Sequence, residues 1–165
     1  MEKIQIRKAQ FGDEKYIHEA HMRSIREICV KDHGQEEIRG WGYRPLDERW
    51  TEPIKTGNVW VVEKDQQIFG FGFIRFFESD GVFRAHLHAL YLTPEVTGQG
   101  IGKSLADIMI KRAKDLKVKS ITLESSITAH KFYLNLGFRD MEPKKQLNIG
   151  GFPVTCFPMA IEISD

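Results

Sequence analysis

Hydrophobic residues alternate with polar ones over several stretches of the N-terminal half, a spacing that predicts β-strands. A period of two places every second side chain on the same face of a strand, so one face packs on a core and the other meets solvent. Turns at Asp65-Gln66 and Ser79-Asp80-Gly81 separate three of these stretches and predict an antiparallel meander. The predicted strands are 3–8, 58–64, 67–78 and 82–92.

Other stretches repeat their hydrophobic positions every three or four residues, which predicts helices with one buried face. Asp13 is the predicted N-cap of the first helix. Further helices are predicted over 35–41, 100–115 and 129–136, whereas residues 42–57 follow neither period. The side chains predicted to face inward are Ile17, Ala20, Ile25, Ile28 and Cys29 in the first helix, and Ile101, Leu105, Ile108, Met109 and Leu116 in the 100–115 helix.

Strands and helices also alternate in the C-terminal half, where strands are predicted over 119–124, 139–148 and 153–162. This order predicts one α/β (α+β) domain over residues 1–165. Its sheet is expected to be mixed, mainly antiparallel and twisted, with about six or seven strands flanked by about four helices. A chain of 165 residues can bury around two thirds of its unfolded surface in a single core.

The composition excludes several classes of protein. A net charge of +1 with 28% charged residues gives no extended basic surface, so we expect no nucleic-acid partner. No apolar stretch approaches the about 20 residues that cross a bilayer, and the first residues lack the apolar segment of a signal peptide. We therefore expect a cytoplasmic protein with no membrane partner. Cys29 and Cys156 lie far apart and form no C-x-x-C pair, which favours reduced thiols.

Three glycines at a spacing of two residues, Gly98, Gly100 and Gly102, lie between a predicted strand and a predicted helix. The first N–H groups of a helix have no intrahelical partner and carry partial positive charge, and a turn without side chains lets a phosphate reach them. A Walker A loop requires a glycine where Thr97 lies, and a dinucleotide fingerprint requires one where Lys103 lies. The turn therefore predicts a phosphate-bearing ligand of another class.

Two motifs in this region resemble those of one enzyme family. Thr97-Gly98-Gln99-Gly100-Ile101-Gly102 resembles the acyl-CoA pyrophosphate loop of the GNAT acetyltransferases, [QR]-x-x-G-x-[GA], with Thr97 in place of the usual Arg or Gln. Ala129-His130-Lys131-Phe132-Tyr133-Leu134-Asn135-Leu136-Gly137-Phe138 is similar to the family's A-x-x-[FL]-Y-x-x-x-G-F helix. The motifs lie in the family's order with a predicted strand between them, and the resemblance covers roughly residues 3–163.

The resemblance implies that acetyl-CoA is the co-substrate and that the strand before the loop pairs with the pantetheine arm through its main chain. It implies that Tyr133 donates a proton to the departing CoA thiolate, since a phenol is protonated at neutral pH and close in acidity to a thiol. Family members often carry a Glu base on this strand; here His88 or His86 lies in the corresponding stretch, and an ordered water is the other alternative. The residues implied to contact CoA are Leu90, Tyr91, Leu92, Thr97, Gly98, Gln99, Gly100, Ile101, Gly102, Lys103, Ser126 and Phe132.

The expected acceptor is a small-molecule primary amine that takes the acetyl group directly in a ternary complex, because no nucleophilic side chain lies beside a base. Trp41, Trp50, Phe76 and Phe77 are candidates either for its cleft or for the core. A protein or peptide acceptor, a non-catalytic acyl-CoA sensor and a phosphate-loop ATPase are the alternatives. No metal is expected, since the histidines lack ligand spacing. An unpaired edge of the splayed sheet is compatible with a homodimer.

Overall fold

A sheet of eight strands runs through the part of the chain that the computed structural model describes, residues 3–164. Only the fourth and fifth strands are parallel neighbours, which confirms the predicted α/β class with a mixed, mainly antiparallel sheet. The strands are β1 (Gln5–Lys8), β2 (Val59–Lys64), β3 (Gln67–Ser79), β4 (Val82–Leu92), β5 (Ser120–Ser126), β6 (Arg139–Asp140), β7 (Lys145–Ile149) and β8 (Phe152–Glu162). Their order is β1-β2-β3-β4-β5-β8-β6, and β7 also pairs with β8.

Helices pack on both faces of this sheet. A π-helical segment, Ile25–Cys29, connects the first helix directly to the second. A short 3₁₀ turn, Pro94–Val96, precedes the glycine turn. The helices are α1 (Glu14–Ser24), α2 (Val30–Trp41), α3 (Thr51–Lys55), α4 (Ile101–Asp115) and α5 (His130–Leu136). The predicted helices over 100–115 and 129–136 are thus confirmed to within one residue at their starts.

The predicted meander of β2, β3 and β4 is confirmed, and its turn residues explain it. Asp65 and Gln66 both have positive φ, 54° and 63°, as do Asp80 and Gly81, at 54° and 73°. Two consecutive residues with positive φ match the right-handed twist of the strands that they join, which is why short polar residues and glycine are favoured there. Local sequence is sufficient to specify these hairpins.

One local prediction is wrong, and another holds in position only. The strand predicted over 139–148 is interrupted, because β6 ends at Asp140 and β7 begins only at Lys145; Pro143 lies between them and has no N–H to donate to a neighbouring strand. Asp13 precedes α1 as predicted, but its carboxylate does not cap the helix. It accepts hydrogen bonds from the Arg7 guanidinium and the Gln10 N–H instead.

The helix predicted over 35–41 corresponds to the second part of α2. Gly34 has φ 77° and ψ 168°, so it kinks the helix between its two parts. Just before the kink, the Nε2 atom of buried His33 accepts the N–H of Ile127 at 3.0 Å, which leaves Nδ1–H to donate to Glu37 at 2.5 Å. Glu37 also accepts both the N–H and the hydroxyl of Thr155. This network fixes α2 against β8 and against the end of β5.

The core is divided between the two faces of the sheet. One cluster lies under α4 and α5 and is built around Leu105, Met109 and Phe138. The other lies under α1 and α3 and includes Ile17 and Phe71. Most of the side chains predicted to face inward belong to these clusters or to a third one beside α2, but Ile28 is only half-buried and lines a groove.

The parallel pairing of β4 with β5 is short, and its end creates the opening on which the site depends. The two strands pair only over Ala85–Leu87 and Ile121–Leu123. Immediately afterwards, Phe73 of β3 pairs with Ala89 whereas Ile74 pairs with Leu87, so His88 is the extra residue of a β-bulge. A bulge bends its strand and redirects its side chains. Beyond this point β4 continues to Leu92 without pairing to β5.

Candidate active site

A narrow slot, with a volume of about 20 Å³, lies where β4 and β5 separate. Both strands contribute lining residues, and α5 contributes Tyr133. Because neither strand pairs with the other there, their facing N–H and C=O groups are available to a ligand. The slot is lined by Leu87, His88, Ala89, Leu90, Tyr91, Glu124, Ser125, Ser126, Ala129 and Tyr133.

An apolar groove with a volume of about 200 Å³ continues from this slot and shares four residues with it: Leu90, Tyr91, Ser126 and Ala129. The groove brings together many of the residues predicted to contact CoA, namely Leu90, Tyr91, Leu92, Thr97, Gly102, Ser126 and Phe132. Its remaining lining comes from Ser24 of α1, from Ile28 and Cys29 of the π-helical segment, and from Thr128 and Ala129. We call α1 and the π-helical segment together the α1–π segment. None of the groove residues from the α1–π segment was predicted, because only the tertiary fold brings that segment to β4.

The glycine turn lies at one end of the groove, and its other predicted residues are Gly98, Gln99, Gly100, Ile101 and Lys103. Gly98 and Gly100 have φ 76° and 79°, a left-handed conformation that suits glycine. The first bond of α4 runs from the N–H of Ser104 to the carbonyl of Gly100, so the N–H groups of the preceding helical residues remain without intrahelical partners.

The polar side chains around the turn form their bonds elsewhere. Lys103 pairs with Asp107 at 2.8 Å along the exposed face of α4. Gln99 donates its side-chain amide to the carbonyl of Glu95, and the hydroxyl of Thr97 donates to the carbonyl of Thr93. The arrangement can accept an anion at the start of α4, where the helix dipole also favours negative charge.

Tyr133 lines the slot and is packed between aromatic rings. Its ring contacts Phe132 and Phe138 edge to face, with centroid distances of 5.2 and 5.5 Å, and its side chain is only 5% exposed. Within residues 3–164 its hydroxyl has no hydrogen-bond partner from the protein. Burial raises the pKa of the phenol, so the hydroxyl is protonated throughout the neutral range. It can therefore act as a proton donor.

A second cavity, which we call the cleft, meets the slot at His88, Ala89, Tyr91 and Glu124. It has a volume of about 190 Å³ and is far more polar than the groove. Its walls come from α1, from residues 41–50, from β4 and β5, and from the β7 end. The cleft is lined by His21, Trp41, Arg44, Arg49, Trp50, His86, His88, Ala89, Tyr91, Glu124, Leu147 and Ile149.

The two histidines of β4 differ in what they contact. His86 Nδ1 lies 2.8 Å from the hydroxyl oxygen of Thr122, so this ring is tied to β5. The bulged residue His88 makes no such bond, and its ring lies against Phe73 at 5.4 Å. His88 is exposed to the cavities, and partial desolvation lowers its pKa. The charges of Arg75 and Arg44 lower this pKa further, whereas Glu124 raises it. His88 is therefore neutral at neutral pH and able to accept a proton.

Glu124 is a site residue that sequence reasoning missed. The strand before the glycine turn carries no acid, as predicted, but Glu124 on the neighbouring strand lines both the slot and the cleft beside His88. Its carboxylate lies 3.8 Å from Lys145 and accepts a hydrogen bond from Cys156 at 3.6 Å. The available signal was an acid at the end of the predicted strand 119–124, immediately before the second predicted motif.

The four aromatic candidates for the acceptor cleft fall into two groups. Trp41 and Trp50 line the cleft, although both are also almost fully buried, at 3% exposure each. Phe76 and Phe77 do not line it. Phe76 stacks on Phe83 and packs against the α4-side core, and Phe77 lies beneath the Arg75 guanidinium.

Among residues 3–164, no three His, Cys, Asp or Glu side chains are grouped as a metal site requires. His33 forms the hydrogen bonds to Glu37 and Ile127, and His130 pairs with Asp140 at 2.8 Å. No helix in the described range is both long and apolar enough to span a membrane.

Comparisons with known proteins agree with this geometry. Residues 29–163 match the family described as the acetyltransferase (GNAT) domain. The uncharacterized N-acetyltransferase YafP of Escherichia coli (strain K12) is 28% identical over 146 residues, which cover 88% of this chain and 87% of the relative. A GCN5-related N-acetyltransferase structure from Rhodopseudomonas palustris superposes with a TM-score of 0.83 at 18% identity, over 99% of this chain and 98% of that one. The PaiA N-acetyltransferase of Thermoplasma acidophilum, solved with coenzyme A, superposes with a TM-score of 0.70 at 21% identity, over 98% of this chain and 99% of that one. At these identities the two structures establish the fold.

Proposed function

Because the chain belongs to the GNAT acetyltransferase family, we propose that it transfers the acetyl group of acetyl-CoA directly to the primary amine of a small molecule. The observation that carries this proposal is that the groove, the slot and the cleft meet. Tyr91 lines all three cavities, so a ligand lying along β4 can run from the glycine turn to the edge of the cleft without crossing packed protein. One cavity holds the donor and another holds the acceptor.

In this proposal the pyrophosphate of CoA binds at the glycine turn, where the first N–H groups of α4 are free of intrahelical partners. The pantetheine arm follows the groove and enters the slot beside Leu90, Tyr91 and Leu92, pairing with the main chain of β4 where β5 has moved away. The thioester then lies in the slot, between Tyr133 at one end and the cleft at the other. An N–H group of β4 polarises its carbonyl.

Two side chains are proposed to move protons. His88 accepts the proton of the acceptor ammonium, because its imidazole is neutral and lies where the slot meets the cleft. The neutral amine then attacks the thioester carbonyl, the C–S bond breaks, and Tyr133 donates its phenolic proton to the departing thiolate. The amine nitrogen loses its second proton as the amide forms, and this proton returns to the Tyr133 phenolate. Burial raises the pKa of Tyr133, and the same desolvation raises the pKa of a thiol in the slot, so donor and leaving group remain matched.

Direct transfer is favoured over an acetyl-cysteine intermediate. Burial raises the pKa of the Cys29 thiol to about 12, and burial together with the nearby Glu124 carboxylate raises that of Cys156 to about 11. The thiolate is the nucleophilic form of cysteine, so neither residue is activated at neutral pH. The cleft volume of about 190 Å³ supports a small acceptor.

Ligand identity is tested by thermal unfolding. Acetyl-CoA and CoA are expected to raise the Tm by roughly 5 to 10 °C at about 100 times their Kd, whereas ATP and NAD give no shift, because a ligand that binds only the native state stabilises it by about 2.7 kcal/mol at that concentration. Thiol release is then measured with a panel of primary amines. Equal shifts with ATP contradict CoA binding, and CoA binding without thiol release for any amine identifies a sensor rather than an enzyme.

The base is tested by the pH dependence of kcat at saturating amine. Because the pKa of His88 is lowered from 6.5, His88 is neutral above that range and becomes protonated as the pH falls. We expect the rate to be full at neutral pH and to be lost on an acidic limb with its midpoint below pH 6.5. His88→Gln removes this limb. Glu124→Gln keeps it but moves it to lower pH, because the Glu124 charge raises the pKa of His88.

The two variants separate the two candidate bases. If the limb persists in His88→Gln and disappears in Glu124→Gln, the base is Glu124 and the His88 assignment is wrong. Unfolding curves of both variants serve as the control, because a purely structural histidine changes stability and leaves the limb in place.

A further inference from the structure

The charge in the cleft is unbalanced, and the imbalance involves Arg44. Of the two arginines that line the cleft, Arg49 is held by a bidentate pair with Asp47, at 2.7 and 2.8 Å. Arg44 donates only its Nε–H to the carbonyl of Trp41, at 3.0 Å. Among the residues that the structure describes, no carboxylate lies within ion-pair distance of Arg44. Its guanidinium nitrogens Nη1 and Nη2 therefore lack an anionic partner.

The surroundings of Arg44 make this unpaired charge costly. The side chain is half-buried, and burial together with the neighbouring charge of Arg49 lowers its pKa. Both effects disfavour the cationic form, yet an arginine remains protonated in proteins. A partly desolvated cation without a partner is stabilised by any anion that enters the cleft. The planar guanidinium is also suited to bind the two oxygens of a carboxylate or a phosphate.

Neutral groups on the same wall are also without partners. His21 and Trp50 line the cleft, are 6% and 3% exposed, and have no hydrogen-bond partner for either imidazole nitrogen or for the indole Nε1. An indole is only a donor, and burial keeps His21 neutral, so that its ring supplies one N–H. Buried donors normally have acceptors, and here the protein supplies none. These nitrogens have almost no exposed surface, so the group that this wall offers to an anion in the cleft is the Arg44 guanidinium.

The opposite character is found where the cleft meets the slot. There the lining residues are His88 and Glu124, a neutral imidazole and a carboxylate, which suit an ammonium group. The lining of the cleft thus combines a cationic side chain, Arg44, with groups beside the slot that suit an amine. A molecule that contacts both carries one amine and one acidic group.

We infer that the acceptor is a small primary amine that bears an acidic oxyanion group, either a carboxylate or a phosphate, which Arg44 binds. The inference rests on the proposed acetyl transfer, and it adds the substrate class. Arg44 acts on specificity and touches the acceptor, whereas Arg49 is partly neutralised by Asp47 and adds a weaker attraction. Phosphate and carboxylate present the same oxygen geometry to a guanidinium, so the test includes both.

The experiment compares amines in matched pairs that differ in the acidic group. Lysine is paired with cadaverine, phenylalanine with phenethylamine, and O-phosphoethanolamine with ethanolamine. Thiol release gives kcat/KM, and calorimetry on the CoA complex gives Kd. We expect at least one acid-bearing member to be preferred over its partner by tenfold or more in both quantities, and whether that member is a carboxylate or a phosphate identifies the group.

Variants assign this preference to Arg44. For the preferred acid-bearing amine, Arg44→Gln is expected to lower kcat/KM and to raise Kd by at least tenfold. For its neutral partner, both quantities are expected to change by less than twofold. Arg84→Gln is the control, since Arg84 is an exposed arginine of β4 that does not line the cleft. Unfolding curves and the CoA-induced shift in Tm establish that both variants fold and bind the donor.

Three results overturn the inference. The first is that kcat/KM and Kd are equal for both members of every pair. The second is a preference that persists in Arg44→Gln, and the third is that no acid-bearing amine binds. Failure of the inference is distinct from failure of the proposed function. If neutral amines are acetylated and CoA still raises the Tm, only the proposed substrate class is wrong. If CoA does not raise the Tm of the wild-type protein, the proposed acetyltransferase activity is contradicted.

Discussion

Replacing Tyr133 with phenylalanine is expected to lower kcat by about 10²-fold or more and to leave the Kd for CoA within a factor of two. The substitution removes only the hydroxyl, and the ring keeps its edge-to-face contacts with Phe132 and Phe138. The loss of a positioned general acid lowers rates by about 10² to 10⁴. Because the phenol makes its contribution only as the thiolate departs, ground-state binding of the donor is unaffected.

The measurement must isolate the chemical step. Single-turnover experiments with enzyme in excess over acetyl-CoA remove any contribution from product release, which limits kcat in many enzymes. Tyr16→Phe is the matched control, since Tyr16 is 45% exposed and lies outside all three cavities. A Tyr133→Phe protein with the wild-type single-turnover rate would falsify the assignment of Tyr133 as the proton donor.

Replacing Gly102 with valine is expected to raise the Kd for CoA by at least tenfold while the protein remains folded. Gly102 lies in the first turn of α4 and has an ordinary helical φ, so a side chain causes no backbone strain. A Cβ atom at this position meets the Phe132 ring at 3.4 Å and Leu92 at 3.7 Å, both near ordinary contact distance. The branched methyl groups of valine then fill the part of the groove where the pyrophosphate approaches the helix N–H groups.

The control for this prediction is Lys114→Val, which places the same β-branched residue on the exposed face of the same helix, near its C-terminal end. Valine has a higher helix propensity than glycine and a lower one than lysine, and each difference is below about 1 kcal/mol, so both variants should remain folded. Calorimetry with CoA separates them. If Gly102→Val folds and binds CoA as tightly as Lys114→Val, the phosphates do not lie at the glycine turn.

The local sequence was sufficient for the elements whose geometry depends on near neighbours. The β2–β4 meander follows from alternation and from turn residues that tolerate positive φ, such as Asp65 and Gly81. The glycine turn, the start of α4 and the left-handed Gly137 at the end of α5, with φ 105°, follow from the same local rules. For this reason the glycine turn and the Tyr133 helix are recognisable from the amino-acid sequence alone.

Two features of β4 depended on the sheet rather than on β4 itself. Alternation places His86 and His88 on one face of a regular strand, but the β-bulge at His88 changes the pairing and leaves the two rings with different partners. The bulge also lies where β4 stops pairing with β5. A bulge is a mismatch between two strands, so it cannot be read from one of them.

The sequence by itself determined most of the order of elements, the glycine turn that we predict to bind phosphate and the candidate proton donor, because each of these depends on a few consecutive residues. The tertiary structure alone decided what surrounds the reacting groups. Glu124 comes from β5, Arg44 from a stretch with no hydrophobic period, and His21 from a helix face that the sequence assigned to no site. Their meeting in one cleft depends on contacts between segments that are distant in the chain, and no local pattern records such contacts.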